Sequence, residues 1–185
     1  RDFMEYHSDR FQDFSLMVFE GEQLVSVIPA NRVDDVVYSH QGLTYGGFVF
    51  QKKVKGNEIF QILDEFILFL KNEQIKRFIG KAIISIYTKL PSYETGCFLV
   101  QKGAVIYRRD LNLALNFKQL NLISKSKLKH YRRVLNLDLM IKSENEFDVF
   151  WDNVLMPRLK DRFEAKPVHS KNEITYLHKK FPDNI

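Results

Sequence analysis

The chain has 185 residues, of which 45% are hydrophobic and 28% charged, a balance that excludes wholesale disorder and is enough to bury a core without disulfide or metal staples. The lone Cys97 excludes an internal disulfide and fits a reducing, cytoplasmic compartment. No apolar stretch approaches the roughly 20 residues of a membrane span, no signal peptide is visible in these residues, and the net charge of +5 favours anionic partners: nucleotide-linked substrates, nucleic acid or a membrane surface.

The opening segment, Arg1 to Phe14, reads as a short helix carrying Phe3, Met4, Tyr6 and Phe11. Leu16 to Phe19 and Leu24 to Ile28 read as two strands joined by a turn at Glu20-Gly21-Glu22, a β-hairpin that ends at Pro29. Asp34-Asp35 marks a second turn before the strand Val36-Val37-Tyr38. Ser39 to Gly47 is polar, holds three glycines and lacks periodicity, so it reads as a loop. The clearest helix runs from Asn57, read as its N-cap, to about Lys71, with Ile59, Ile62, Leu63, Phe66, Phe69 and Leu70 at helical spacing.

Arg77 to Ile84 reads as a strand, and Ser92 to Lys102 as a helix stopped at Gly103. Cys97, inside an apolar run, is expected to be a buried structural cysteine. Ala104 to Tyr107 and Leu111 to Phe117 have strand character. Ser124 can cap a basic helix with Leu128, Tyr131 and Leu135 as its apolar stripe and Lys125, Lys127, Lys129, His130, Arg132 and Arg133 over the rest. Leu137 to Ile141 reads as a strand. Ser143 with Glu146 forms a capping box before a helix that buries Phe147, Phe150, Trp151 and Val154, and Pro157 kinks or ends it. Ser170 with Glu173 forms a second box leading a last helix through Ile174, Leu177 and His178 to Pro182. Irregular alternation after an early hairpin predicts a mixed α/β (α+β) domain, a mixed sheet flanked by helices.

Several constellations bear on function. The loop from Gly42 to Gly47 can cradle a substrate, with His40, Gln41, Thr44 and Tyr45 as hydrogen-bonding groups, or be a tight structural turn. The basic helix can bind RNA phosphates or simply be solvated; Tyr131 lies on the apolar stripe, away from the charges, which argues against base stacking. Arg77-Phe78-Ile79-Gly80-Lys81-Ala82 matches the R-x-x-G-x-A pyrophosphate pattern, but its strand context makes the match a coincidence. The five histidines lack metal-ligand spacing and a cysteine partner, so no metal site is expected.

Three stretches in this order resemble the N-terminal half of FemAB-like, GNAT-type acyltransferases. They are the hairpin leading into Tyr38 to Gly47, the basic helix and its exit from Ser124 to Leu137, and Lys166-Pro167-Val168-His169-Ser170 running on to Phe181-Pro182. The resemblance implies that residues 1–185 form a single GNAT-like half-domain and that a second such half follows Ile185. It implies an acceptor-binding half of an N-acyltransferase acting on an amino-sugar nucleotide or an envelope or polysaccharide precursor. The donor, acyl-CoA or aminoacyl-tRNA, would sit mainly in the second half, so no cofactor is expected in this chain, which alone should transfer nothing. Partners implied are the acceptor, the second half and tRNA, without integral membrane contact. By the same resemblance His7 and His169 stand where the family places cationic residues in the acceptor cleft. With His40, Gln41 and Tyr45 they complete the expected substrate-binding set; no catalytic residue is assigned. The alternative is a noncatalytic polyanion- or RNA-binding module built on residues 124–135.

Overall fold

The computed structural model describes residues 2–89, 93–118, 123–140 and 147–184. The chain is mixed α+β and divides into two compact units, Arg1–Leu111 and Asn112–Ile185.

The first unit opens with one helical turn, α1 (Asp2–Glu5); the longer helix expected up to Phe14 gives way to turns and a short strand, β1 (Gln12–Asp13). The predicted hairpin is present as β2 (Leu16–Glu20) and β3 (Gln23–Ile28), antiparallel, with Leu16 opposite Ile28. Gly21 turns it at φ +59°, a conformation that costs glycine no Cβ clash. β4 (Asn31–Val33) and β5 (Val36–Tyr38) form a second antiparallel pair around Asp34, and β6 (Val49–Phe50) adds to β3. β7 (Arg77–Ile79) runs parallel to β5. The strands therefore form two sheets, β2-β3-β6 and β1-β4-β5-β7, the second mixed in direction.

Helix α2 (Gly56–Asn72) links β6 to β7 and supplies much of the core. Ile59, Ile62, Leu63, Phe66 and Leu70 recur every three or four residues, so one face is apolar and buried. Its N-cap is Lys55 rather than Asn57, because the Glu58 carboxylate reaches back to accept from the Lys55 N–H at 2.7 Å. Phe66, Leu70 and Ile75 meet Ile28, Ala30 and Val37 from the strands, with Phe48 and Phe78 edge-on to Phe66. Burying each of the larger of these side chains contributes about 1.5–3 kcal/mol. Phe69, expected in this core, lies on the neighbouring helix face and is 38% exposed.

Three further expectations are corrected. The strand from Arg77 stops at Ile79, since beyond it β5 has ended and the chain turns to other hydrogen bonds; Gly80 lies just past the strand, not inside it. Cys97 is exposed, because α3 (Glu94–Gln101) buries no side chain completely. Gly103 does follow α3 at φ +92°, its N–H returning to the Val100 carbonyl. Ala104 to Tyr107 and Leu111 to Phe117 form no strand: they are solvent-exposed and no strand lies alongside to complete a ladder among the described residues.

The second unit is helical. α4 (Lys125–Leu135) starts at Ser124, whose hydroxyl accepts from the Lys127 N–H. Leu137 to Met140 form no strand, and Ile141 and the Ser143–Glu146 box lie outside the described residues. α5 (Asp148–Phe150) passes through a π-helical turn, Trp151–Leu155, into α6 (Met156–Phe163). Pro157 neither ends nor breaks this helix. It stands in the first turn of α6, where its missing N–H is tolerated because the wider turn before it has already shifted the hydrogen-bond register. Phe150 and Val154 are exposed and Phe147 and Trp151 half-buried, so the expected buried face is only a partial cluster. α7 (Lys171–Lys180) carries the predicted capping box: Ser170 N–H donates to Glu173 Oε2 at 2.7 Å and Glu173 N–H to Ser170 Oγ at 3.3 Å. Leu177 is this unit's fully buried apolar residue among the described residues.

Candidate functional site

The loop from Ser39 to Gly47 leaves the C-terminal end of β5 beside the C-terminal end of its parallel neighbour β7. In open sheets that end of a parallel pair is where ligands bind. The loop is pinned to β7's exit at several points. Ser39 N–H donates to the Ile79 carbonyl at 3.0 Å, and Lys81 N–H to Ser39 Oγ at 2.7 Å. Gly46 N–H donates to the Lys81 carbonyl at 2.8 Å, and Lys81 Nζ to the Leu43 carbonyl at 3.2 Å. At Gly46 a Cβ would lie 2.1 Å from the Ser39 carbonyl oxygen, so only glycine lets the loop close here.

The other side of the loop is held by Asn31, which is fully buried in β4. Its Oδ1 accepts from the Gln41 N–H at 2.7 Å, and its Nδ2 donates to Gln41 Oε1 at 2.9 Å. A buried carboxamide must find such partners, and this one satisfies both of its ends on a single residue. Between these anchors His40 takes a left-handed backbone, φ +57°.

His40 and His7 are both buried, with ring centroids 5.8 Å apart. Phe11 lies edge-on to His40, and Phe3 and Tyr6 pack edge-on to His7. Gly42 presses on the His7 ring so closely that a Cβ would stand 2.6 Å from its Cδ2. Burial pushes the His40 imidazole below the usual histidine range; His7, and more weakly Lys81, push the same way, against a smaller pull from Asp13. Gly42 N–H donates to His40 Nδ1 at 3.2 Å, which leaves the ring hydrogen of the neutral form on Nε2. His40 is thus a fixed, neutral hydrogen-bonding group.

Tyr45 stands further along the loop, half-buried, its ring 5.5 Å from Tyr87. Burial raises its phenol pKa, and Tyr87 raises it further, so Tyr45 keeps its proton at neutral pH. The structure therefore gathers His7, His40, Gln41 and Tyr45 on one loop and its backing. His169 belongs to the second unit, where it lines an open cleft of about 410 Å³ with Trp151, Met156, Lys166 and Lys171. Lys171 there bridges Asp152 at 2.8 Å and Asp148 at 3.5 Å.

The pyrophosphate-like string offers no phosphate cradle. No helix opens at Gly80, and the Lys81 N–H is already engaged by Ser39. Among the described residues no group of three or more His, Cys, Asp or Glu is arranged to hold a metal ion. Asn31, Ser39 and Lys81 do as much to shape the loop as the residues singled out in it. Asn31 was missed because it opens the short strand β4, which the sequence did not announce.

Compared with protein-family models, curated proteins and solved structures, the chain matches none.

Proposed function

We propose that the chain is the acceptor-binding half of a FemAB-like, GNAT-type N-acyltransferase, acting in the cytoplasm on an amino-sugar nucleotide or an envelope precursor. The observation that carries this reading is the Ser39–Gly47 loop, a polar segment fixed in place at the C-terminal end of a parallel strand pair. The hairpin ahead of a mixed sheet flanked by helices also fits the half-domain that the resemblance implies. Attack of an amine on an activated acyl carbonyl needs alignment of the two and removal of a proton, not a protein nucleophile. In this reading His40 and Gln41 hold the acceptor by hydrogen bonds, the Tyr45 hydroxyl adds a donor, and His7 backs His40. His169 keeps only the acceptor-binding role that the resemblance implies, and the donor, acyl-CoA or aminoacyl-tRNA, is held by a second half of the same protein.

The test is to titrate the chain with amino-sugar nucleotides and, separately, to assay it beside the extended protein with acetyl-CoA, longer acyl-CoAs and aminoacyl-tRNA. Weak acceptor binding and no turnover by the chain alone are expected. Tyr45→Phe and Gln41→Ala, which leave Asn31 and the strand pair in place, should weaken acceptor binding about tenfold, as should His40→Asn, which tolerates the left-handed backbone. In the extended protein His7→Ala and His169→Ala should lower turnover or acceptor affinity more than tenfold. Acceptor binding that none of these changes moves would overturn the assignment of the loop, and turnover by the chain alone would overturn the half-enzyme reading.

A further inference from the structure

α4 has two properties that the acceptor reading does not use. Its sequence carries three lysines, two arginines and a histidine and no acidic residue. Its apolar stripe, spaced i, i+3, i+7 at Leu128, Tyr131 and Leu135, lies on one side of the helix, yet Tyr131 and Leu135 are 60% and 61% exposed. Exposed apolar residues continue past the helix end at Leu137, Leu139 and Met140. The helix is complete in itself, capped by Ser124, and needs no neighbour to satisfy its first turn.

We propose that α4 is an interfacial helix that lies flat on an anionic lipid bilayer. Its stripe enters the boundary between headgroups and acyl chains, while the lysines and arginines meet the lipid phosphates and carboxylates. Lys127 and Arg132 each stand one residue from a stripe position and so flank it on either side. Their aliphatic stems can follow the stripe inward while the charges stay at headgroup level. The bilayer surface uses both faces of α4 at once. RNA would use the charged face and leave the apolar stripe in water, and Tyr131 lies outside the charged face where a base would stack. The 11 residues span about 16 Å at 1.5 Å per residue, which suits lying on a membrane and not crossing one; among the described residues no helix is long and apolar enough to cross.

Binding of the chain to vesicles of phosphatidylcholine alone and with phosphatidylglycerol, measured by sedimentation, tests this directly. Binding is expected only with the anionic lipid and should weaken as salt rises. Each charge removed should cost roughly fivefold, so Lys125→Gln, Lys129→Gln, Arg132→Gln and Arg133→Gln together should cost at least about a hundredfold. Leu128→Ser with Leu135→Ser should cost at least about tenfold while leaving binding to a single-stranded RNA oligonucleotide unchanged. A second readout avoids dependence on these variants folding. Tyr131→Trp should give a fluorescence blue shift on anionic vesicles, measured against the unchanged Trp151 background of the parent chain. No binding to anionic vesicles overturns the proposal. So does RNA binding with the same charge dependence in the absence of vesicle binding, or vesicle binding indifferent to the stripe. The readout is lipid binding, so its failure leaves the acceptor-loop reading untouched.

Discussion

The two units hold themselves together by different means. In the first, Ile28, Val37, Phe66 and Leu70 are buried between strands and α2, so distant parts of the sequence depend on one another. In the second, Leu177 is the fully buried apolar residue among those described, and α4, α5, α6 and α7 rest on caps, ion pairs and a half-buried aromatic group of Phe147, Trp151 and His178. Helices of 8 to 11 residues are marginal in water without such burial. The first unit should therefore unfold as a cooperative block, and the second should open locally and at lower cost.

The largest expected effect attacks the first unit. Leu63→Ala removes a fully buried side chain from α2 and should cost about 2–5 kcal/mol, measured by denaturant unfolding. Hydrogen exchange should show protection lost throughout β2–β7 and α2; loss confined to α2 would break the picture of one cooperative block. Ser170→Ala attacks the second unit. It removes the hydroxyl that accepts from the Glu173 N–H and should cost about 1 kcal/mol, seen as faster exchange in α7 while exchange in α2 stays unchanged.

A third, smaller effect separates the units by pH. Burial holds the folded imidazole of His40 below its ordinary value of 6.5, so the unfolded chain takes up its proton first. Stability of the first unit should be full above that value and fall as pH drops below it toward the depressed folded value. His40→Asn should flatten this fall in thermal melts followed between pH 7.5 and 5; an unchanged slope would assign the acid sensitivity to other groups. The smallest effect is at Lys171, whose bridge to Asp152 and Asp148 is partly exposed. Lys171→Ala should leave thermal melts of the chain almost unchanged, with any difference screened away in 1 M salt. A larger loss would mean that the second unit depends on this bridge far more than its exposure implies.

What the sequence made legible follows the same division between local and distant causes. The hairpin around Gly21, the strand Val36–Tyr38, the apolar face of α2 and the Ser170–Glu173 box each depend on residues within a few positions of one another, and each is present. β4 and β6 were missed because two or three residues become a strand only through their partners. The opposite error occurred at Leu111 to Phe117, where Leu111, Leu113, Leu115 and Phe117 recur at every second position but no ladder forms among the described residues. Alternation states which face a strand would bury; it does not provide a neighbour. At the site, the polar glycine-rich character of residues 39–47 was readable, but its anchoring was not. Nothing in the spacing announces that Asn31 bonds Gln41 or that Ser39 bonds Lys81. The exposed Cys97 shows the same limit, since an apolar run buries a side chain only if something packs against it.

The double bond from Asn31 to Gln41 has a thermodynamic consequence. A side-chain carboxamide has the same donor and acceptor as a peptide group, and here it extends the β4–β5 ladder beyond Tyr38 into the loop. Freezing a free backbone costs about 1–2 kcal/mol per residue in conformational entropy. For His40 and Gln41 that loss occurs during folding, so a molecule docking against them need not supply it again. If the proposed acceptor docks here, little of its contact energy is diverted into ordering the protein.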